Sequence, residues 1–135
     1  MFLIGVRILV FGNPLVQQDS IALAILPELR KRFPKIEFVE FDAAEDLETE
    51  GNQPVILDAV DGIKQCELIA DLEILVPASR NLSMHDFDLG KTLLLLKKIG
   101  KINGATIIGI PQNYNEKKAL IEVTVLLEKM RRNTK

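Results

Sequence analysis

The chain has 135 residues, of which 47% are hydrophobic and 27% charged, and its formal net charge is −2. That length and apolar content are enough for one domain with a single buried core. The close balance of acidic and basic residues argues against an extended cationic face for nucleic acid. A single cysteine, Cys66, excludes an internal disulfide and a multi-cysteine zinc site. We therefore expect one domain over residues 1–135 that binds no nucleic acid.

The first eleven residues are apolar but too short to cross a membrane, and Arg7 interrupts them. They have neither a basic leading region nor a small-residue cleavage site, and the turn sequence Gly12-Asn13-Pro14 follows them. We predict a buried first strand over Val6 to Phe11. The protein is accordingly expected to be cytoplasmic, without membrane insertion.

Strand and helix patterns alternate along the rest of the chain. A helix is predicted from Asp19 or Ser20 to Phe33, and Pro27 within it predicts either a kink or a second helix that begins there. Further strands are predicted at Ile36–Phe41, Val55–Val60, Asp71–Val76 and Ala105–Ile110, and further helices at Asp86–Ile99 and Glu116–Arg131. This order predicts an α/β fold of three layers, with a mostly parallel, Rossmann-like five-stranded sheet covered by helices on both faces.

Two aspartates fall where strands of this sheet should end, and ligands of such sheets bind beyond the carboxyl ends of the strands. Asp58 interrupts the apolar run from Val55 to Val60, where a carboxylate loses solvation unless an amide or cation compensates it. Asp19 follows a loop long enough to fold back over the strand ends. Each has a structural alternative, since Asp58 could be a turn carboxylate held by backbone N–H groups and Asp19 a helix N-cap.

The third candidate is His85, the only histidine. Ser83 and Asp86 match the pattern of a helix start, which would place His85 in the first turn, where the helix dipole favours neutral imidazole. Asp86 acts in the opposite direction and raises the pKa of the histidine, so its protonation state stays open, as does a purely structural role. If Asp19, Asp58 and His85 converge, their two carboxylates and one imidazole suit a borderline divalent metal with open positions.

Other chemistries are less well supported. The loop from Gly12 to Gln18 has neither of the glycine patterns typical of phosphate binding. Cys66 could act as a nucleophile only with His85 as its base, and Ser79 and Ser83 lack the setting of a serine hydrolase.

The flanks of the three candidate ligands resemble the hydrogenase maturation endopeptidases, which trim the C-terminal extension from the large subunit of nickel-iron hydrogenases. In that family the opening strand is followed by Gly-Asn-x-Leu and then by an acidic pair before a helix. The segment from Gly12 to Asp19 corresponds to this pattern, with Asp19 at the second acidic position. The strand ending in Asp-Ala corresponds to Asp58-Ala59, and Ser-x-His before a leucine-bearing helix corresponds to Ser83-Met84-His85. An acidic residue after the second strand, Asp42, and the closing segment Ile107 to Gln112 are also similar.

This resemblance implies a phosphorylase/hydrolase-like fold and a nickel site formed by Asp19, Asp58 and His85. It implies a metal-dependent endopeptidase whose partner is the hydrogenase large-subunit precursor, and in which nickel is supplied by that precursor, with zinc or cadmium as substitutes in crystals. A monomer is expected. Gln18 replaces the first acid of the family's pair and Ala43-Ala44 replaces a glycine pair, which could alter loop shape or substrate fit.

Two other functions remain open. The first is a non-catalytic Rossmann-like binding module or chaperone that docks on the hydrogenase large subunit. The second is a nucleotide-binding regulator that holds phosphate at the loop from Gly12 to Gln18.

Overall fold

A five-stranded sheet forms the centre of the protein in a computed structural model that describes residues 6–12, 20–41, 47–70 and 93–133. The strand order is β2-β1-β3-β5-β4. The strands are β1 (Arg7–Val10), β2 (Glu37–Glu40), β3 (Val55–Val60), β4 (Glu67–Ile69) and β5 (Thr106–Pro111).

The sheet is mixed but mostly parallel. Strand β1 pairs in parallel with β2 and β3, and β3 pairs in parallel with β5. Only β4 runs antiparallel, against β5 at the edge of the sheet. The predicted mostly parallel five-stranded sheet is therefore confirmed.

Helices cover both faces, as the alternating pattern predicted. Helices α1 (Ile21–Arg32) and α3 (Glu116–Asn133) pack on one face, and helical residues 93–98 (α2) lie on the other, together with a 3-10 turn at Leu47–Glu50. Side chains of a strand alternate between faces, so β3 contributes to both cores. Leu57 and Ala59 belong to the core under α1 and α3, whereas Ile56 and Val60 belong to the core on the α2 face.

Helix α1 continues through Pro27, so the predicted second helix beginning at that residue is wrong. Pro27 is exposed, and the buried side chains on either side of it, Leu26 and Leu29, keep the helix seated on the sheet. At the end of the helix the guanidinium of Arg30 donates to the Phe38 carbonyl at 3.0 Å, which ties α1 to β2. Burial of one helix face therefore outweighs the loss of one backbone hydrogen bond.

The sequence did not predict strand β4, which lies at Glu67–Ile69. The predicted strand Asp71–Val76 lies outside the described residues, and so does the first half of the predicted helix Asp86–Ile99. The second half of that helix is described, and it is helical at residues 93–98.

Helix α2 ends at a glycine. Gly100 has φ +80, its N–H donates to the Lys97 carbonyl at 3.2 Å, and the N–H of Lys101 donates to the Leu96 carbonyl at 2.9 Å. This pair of bonds is a Schellman motif, in which a residue with positive φ satisfies the last carbonyls of a helix. The turn leads into buried Ile102 and then into β5.

Candidate functional site at the carboxyl edge of the sheet

Asp58 lies inside β3, two residues before the strand ends, and is 1% exposed. Among the described residues it is the only charged or polar side chain that is fully buried. Its Oδ1 accepts the N–H of Ala59 at 2.9 Å. A carboxylate in an apolar core is costly unless hydrogen bonds or a cation compensate it, and the Ala59 bond supplies part of that compensation.

The side chain of Asp58 lies on the α2 face, because it alternates with Leu57 and Ala59. Strand β1 lies on one side of Asp58. The N–H of Phe11, the residue after β1, donates to the Leu57 carbonyl at 2.9 Å, so Phe11 lies beside Asp58. The ring of Phe11 packs against Phe41, with 5.5 Å between the centroids. Two packed aromatic rings therefore lie near Asp58, at the carboxyl ends of β1 and β2.

Gly109 lies on the other side of Asp58, as its register partner on β5. A Cβ at this position would lie 3.1 Å from the Ile63 Cδ1, 3.2 Å from the Ile69 Cδ1 and 3.2 Å from the Val60 Cγ2. The glycine therefore lets three apolar side chains close over β5 next to the carboxylate. This packing limits the access of water to Asp58 from the β4 side.

Asp58 lies near the point of the sheet where the strand order reverses. From β1 the chain continues to β2 on one side of the sheet, and from β3 it continues to β4 and β5 on the other side. The strand order thus reverses between β1 and β3, and ligands of open α/β sheets bind outside the carboxyl ends of the strands at such a point.

The other two predicted ligands, Asp19 and His85, lie outside the described residues. The same holds for the departures from the family pattern at Gln18 and Ala43-Ala44, and for Asp42. Within the described ranges no three or more His, Cys, Asp or Glu side chains are grouped so that they could hold a metal ion. The convergence of Asp19, Asp58 and His85 stays a prediction.

A second polar cluster, which the sequence did not predict, lies on the α1–α3 face. Glu122 of α3 accepts the Cys66 N–H at 2.9 Å through Oε1, and the Tyr114 hydroxyl lies 3.0 and 2.9 Å from its two oxygens. One carboxylate therefore joins the turn before β4, the loop after β5 and helix α3. The spacing Tyr114 to Glu122 is compatible with this contact, but nothing in the sequence links either residue to Cys66.

The pKa values of this cluster follow from its contacts. Burial, followed by the hydrogen bond and charge of Glu122, raises the pKa of the Cys66 thiol to about 12. The same causes raise the pKa of Tyr114 to about 12. The Cys66 backbone N–H and the other donors hold the pKa of Glu122 below its ordinary value. Since the thiolate is the nucleophilic form, Cys66 is not suited to nucleophilic catalysis at neutral pH.

A pocket of about 160 Å³ opens on the α1–α3 side, between the start of α1 and the loop that joins β5 to α3. It is lined by Ser20, Ile21, Ala24, Asn113, Tyr114 and Glu116. Asn113 has φ +58, a conformation that asparagine tolerates better than most residues. Because Ile21 and Tyr114 pack on the α1–α3 face, the pocket and the Asp58 side chain lie on opposite faces of the sheet.

Comparison with known proteins adds support for the fold alone. No protein-family model matches the chain, and no curated protein matches it. Among solved structures it is similar to an uncharacterized protein from Wolinella succinogenes, with a TM-score of 0.55 and 18% sequence identity over 94% of each chain. The α/β architecture thus recurs along nearly the whole of both chains.

None of the helices described here has the length and apolar composition that a membrane span requires.

Proposed function

We propose that this protein is a nickel-dependent endopeptidase that removes the C-terminal extension of a nickel-iron hydrogenase large-subunit precursor. The observation that carries the proposal is Asp58, a carboxylate buried within a central strand next to the point where the strand order reverses. Its carboxylate accepts the Ala59 N–H, and a cation bound beside it would compensate its charge further. The resemblance of the segments around Asp58 and His85 to the maturation endopeptidases supports the choice of reaction.

The donor set is suited to a borderline divalent ion. Asp19, Asp58 and His85 would hold it through two oxygens and one nitrogen, which leaves positions for groups of the precursor. In the chain, Asp19 directly precedes Ser20, the N-cap residue of α1, and α1 follows β1 at the same edge of the sheet as Asp58. A metal bound there would polarise the scissile carbonyl.

The residues around Asp58 would orient its carboxylate. The Ala59 N–H fixes Oδ1, and the apolar side chains packed over Gly109 keep water away from one side. Removal of water strengthens the electrostatic interaction of a carboxylate with a cation. The partner in this proposal is the precursor itself, in the cytoplasm.

The test is incubation of the purified protein with nickel-loaded large-subunit precursor, followed by mass spectrometry of the large subunit. We expect loss of the extension with the wild-type protein and its retention with His85→Ala. The matched control is Glu67→Gln, since Glu67 pairs with Gly109 on the same face of the sheet but lies at its edge, and we expect full processing by this variant. Retained processing by His85→Ala would contradict the proposal, and binding without any mass loss would favour a docking module.

A further inference from the structure

Helix α2 ends in an exposed surface that combines apolar and basic side chains. Leu95 and Ile99 are 58% and 57% exposed, and their spacing places them one turn apart on the same side of the helix. Lys98 follows Leu95 by three residues and lies on that side too. Lys97 and Lys101 are exposed next to it in the chain. These five residues form the α2-end surface.

The helix dipole accounts for only part of this composition. Cations near the last carbonyls of a helix are favourable, so the lysines have a structural role. The dipole gives no reason for Leu95 and Ile99, since an apolar side chain in water forgoes the free energy of burial. A single exposed apolar residue is ordinary, but two that are one turn apart present continuous apolar surface.

The turn that follows the α2-end surface is bonded to the chain just before β3. The N–H of Asn103 donates to the Asn52 carbonyl at 2.8 Å, and the N–H of Thr106 donates to the Pro54 carbonyl at 3.0 Å. Both acceptors precede the first residue of β3, so the surface lies toward the amino end of that strand. Asp58 lies toward the carboxyl end, and the α2-end surface is therefore separate from the proposed metal site.

The α2-end surface is positively charged, and its charge is not compensated locally. Residues 93–104 contain three lysines and no acidic residue. None of these lysines takes part in an ion pair within the part of the chain that the structure describes. The net charge of the chain is −2, so the chain without these lysines carries −5. Helix α3 differs, because its exposed Ile121 and Val125 lie on a helix that also carries three glutamates.

We propose that the α2-end surface docks an acidic segment of another polypeptide, whose apolar side chains cover Leu95 and Ile99 and whose carboxylates face the three lysines. A second copy of this surface is a poor partner, since a two-fold contact would bring the lysines of both copies together. The surface spans about two helical turns, which matches one helix of a partner. A flat anionic membrane would also meet the surrounding chain, which is acidic.

Fluorescence anisotropy of a labelled acidic peptide provides the test. The probe is a fluorescein-labelled peptide of Leu-Glu-Glu repeats, titrated with the whole protein, and the neutral control is the same peptide with Gln in place of Glu. We expect saturable binding of the acidic peptide and about tenfold weaker binding of the neutral one, because three exposed charge pairs are lost. Sodium chloride should weaken the binding of the acidic peptide by screening these charges.

Variants of the surface locate the binding. Ile99→Gln should weaken the affinity about fivefold by loss of apolar contact, and Lys98→Gln about threefold by loss of one charge pair. Both side chains are exposed, so both variants should keep the fold, which circular dichroism checks. Ile121→Gln and Lys129→Gln are the matched controls, because they make the same changes at exposed residues of α3 on the other face of the sheet, and they should leave the affinity unchanged.

Equal binding of the two peptides, unchanged affinity in Lys98→Gln and Ile99→Gln, or an equal loss in the α3 controls would overturn the proposal. Vesicles of phosphatidylserine test the competing class of partner. If the protein does not bind the acidic peptide but sediments with these vesicles, and both α2 variants abolish that sedimentation, the surface binds a membrane and the proposal is wrong.

Discussion

Two carboxylates on opposite faces of the sheet show how differently this fold uses the same chemical group. Glu122 lies on a helix and accepts hydrogen bonds from Cys66 and Tyr114, so its charge joins three parts of the chain. Asp58 lies within a strand on the α2 face, is 1% exposed and accepts the Ala59 N–H. Glu122 joins separate parts of the chain, whereas we propose that Asp58 also serves as a metal ligand.

The largest expected effect is a difference in the rate of precursor processing between variants of Asp58 and of Glu122. Asp58→Asn keeps the side-chain carbonyl that accepts the Ala59 N–H but removes the charge, so it should fold and lose about 100-fold or more of the precursor-processing rate. Glu122→Gln should process the precursor at close to the wild-type rate per folded molecule. The measurement is the initial rate of mass loss, corrected for the folded fraction by circular dichroism.

If Asp58→Asn processes the precursor as fast as the wild type does, Asp58 has no role in the reaction. A loss of rate in Glu122→Gln equal to that in Asp58→Asn would remove the distinction between the two carboxylates.

Packing around Asp58 is tested by Gly109→Val. A branched side chain would enter space already filled by Ile63, Ile69 and Val60, so we expect a loss of about 1–3 kcal/mol in the free energy of unfolding. Gly104→Val is the control, because a Cβ at Gly104 would meet nothing within 4 Å. Urea denaturation measures both, and equal stability of the two variants would show that the space over Gly109 is not filled.

The Glu122 cluster should make the protein sensitive to alkaline pH. The pKa of Cys66 is raised from 9.0 to about 12 and that of Tyr114 from 10.0 to about 12, so the folded state retains protons that the unfolded state has lost. This contribution to stability is complete below pH 9 and is lost as the pH rises toward 12. Denaturation at a series of pH values should show this fall, and Cys66→Ala and Tyr114→Phe should each flatten it. An unchanged slope in both variants would contradict the assigned contacts.

Below neutral pH, Glu122 should give the opposite dependence, so that stability falls as the pH falls. Its pKa is lowered in the folded state, so its contribution is present above the unfolded pKa and is lost as the pH falls through the folded pKa. Glu122→Gln should therefore reduce the loss of stability in acid, measured by the same denaturation series. Glu128→Gln, on the exposed side of α3 beside Arg131, is the control and should change this dependence less.

The smallest expected effect is on thiol chemistry. Cys66 is buried and its raised pKa leaves little thiolate, so iodoacetamide should alkylate it slowly in the native protein. Glu122→Gln removes the acceptor charge that holds the Cys66 N–H and should speed the alkylation severalfold by local opening. Equal rates in the two proteins would show that Glu122 does not restrain this segment.

Much of the sheet could be predicted because its three central strands, β1, β3 and β5, are largely buried on both faces. The apolar run from Val55 to Val60 matches β3 at both ends, and the same run showed that Asp58 was out of place. The structure confirms that this carboxylate is buried, and its bond from the Ala59 N–H is of the kind that the structural alternative predicted. Its role as a metal ligand stays a prediction.

The rest depends on contacts that are distant in the chain. Strand β4 has three residues, and its pairing with β5 brings together segments about 40 residues apart, as the register Glu67 to Gly109 shows. Such a short segment has too little periodicity to be distinguished from a turn. Glu122 could not be linked to Cys66 because the two residues are 56 positions apart in the chain. Of the two alternatives predicted at Pro27, the second helix is wrong, because packing on the sheet stabilises α1 as one helix.

The most direct test of the central claim is a crystal structure of the protein grown at high zinc concentration, with zinc in place of nickel. We expect one ion at the carboxyl edge, with the Asp58 and Asp19 oxygens and a His85 nitrogen at about 2.0–2.2 Å from it. An ion bound elsewhere, with the coordinating atoms of these three residues directed away from one another, would contradict it.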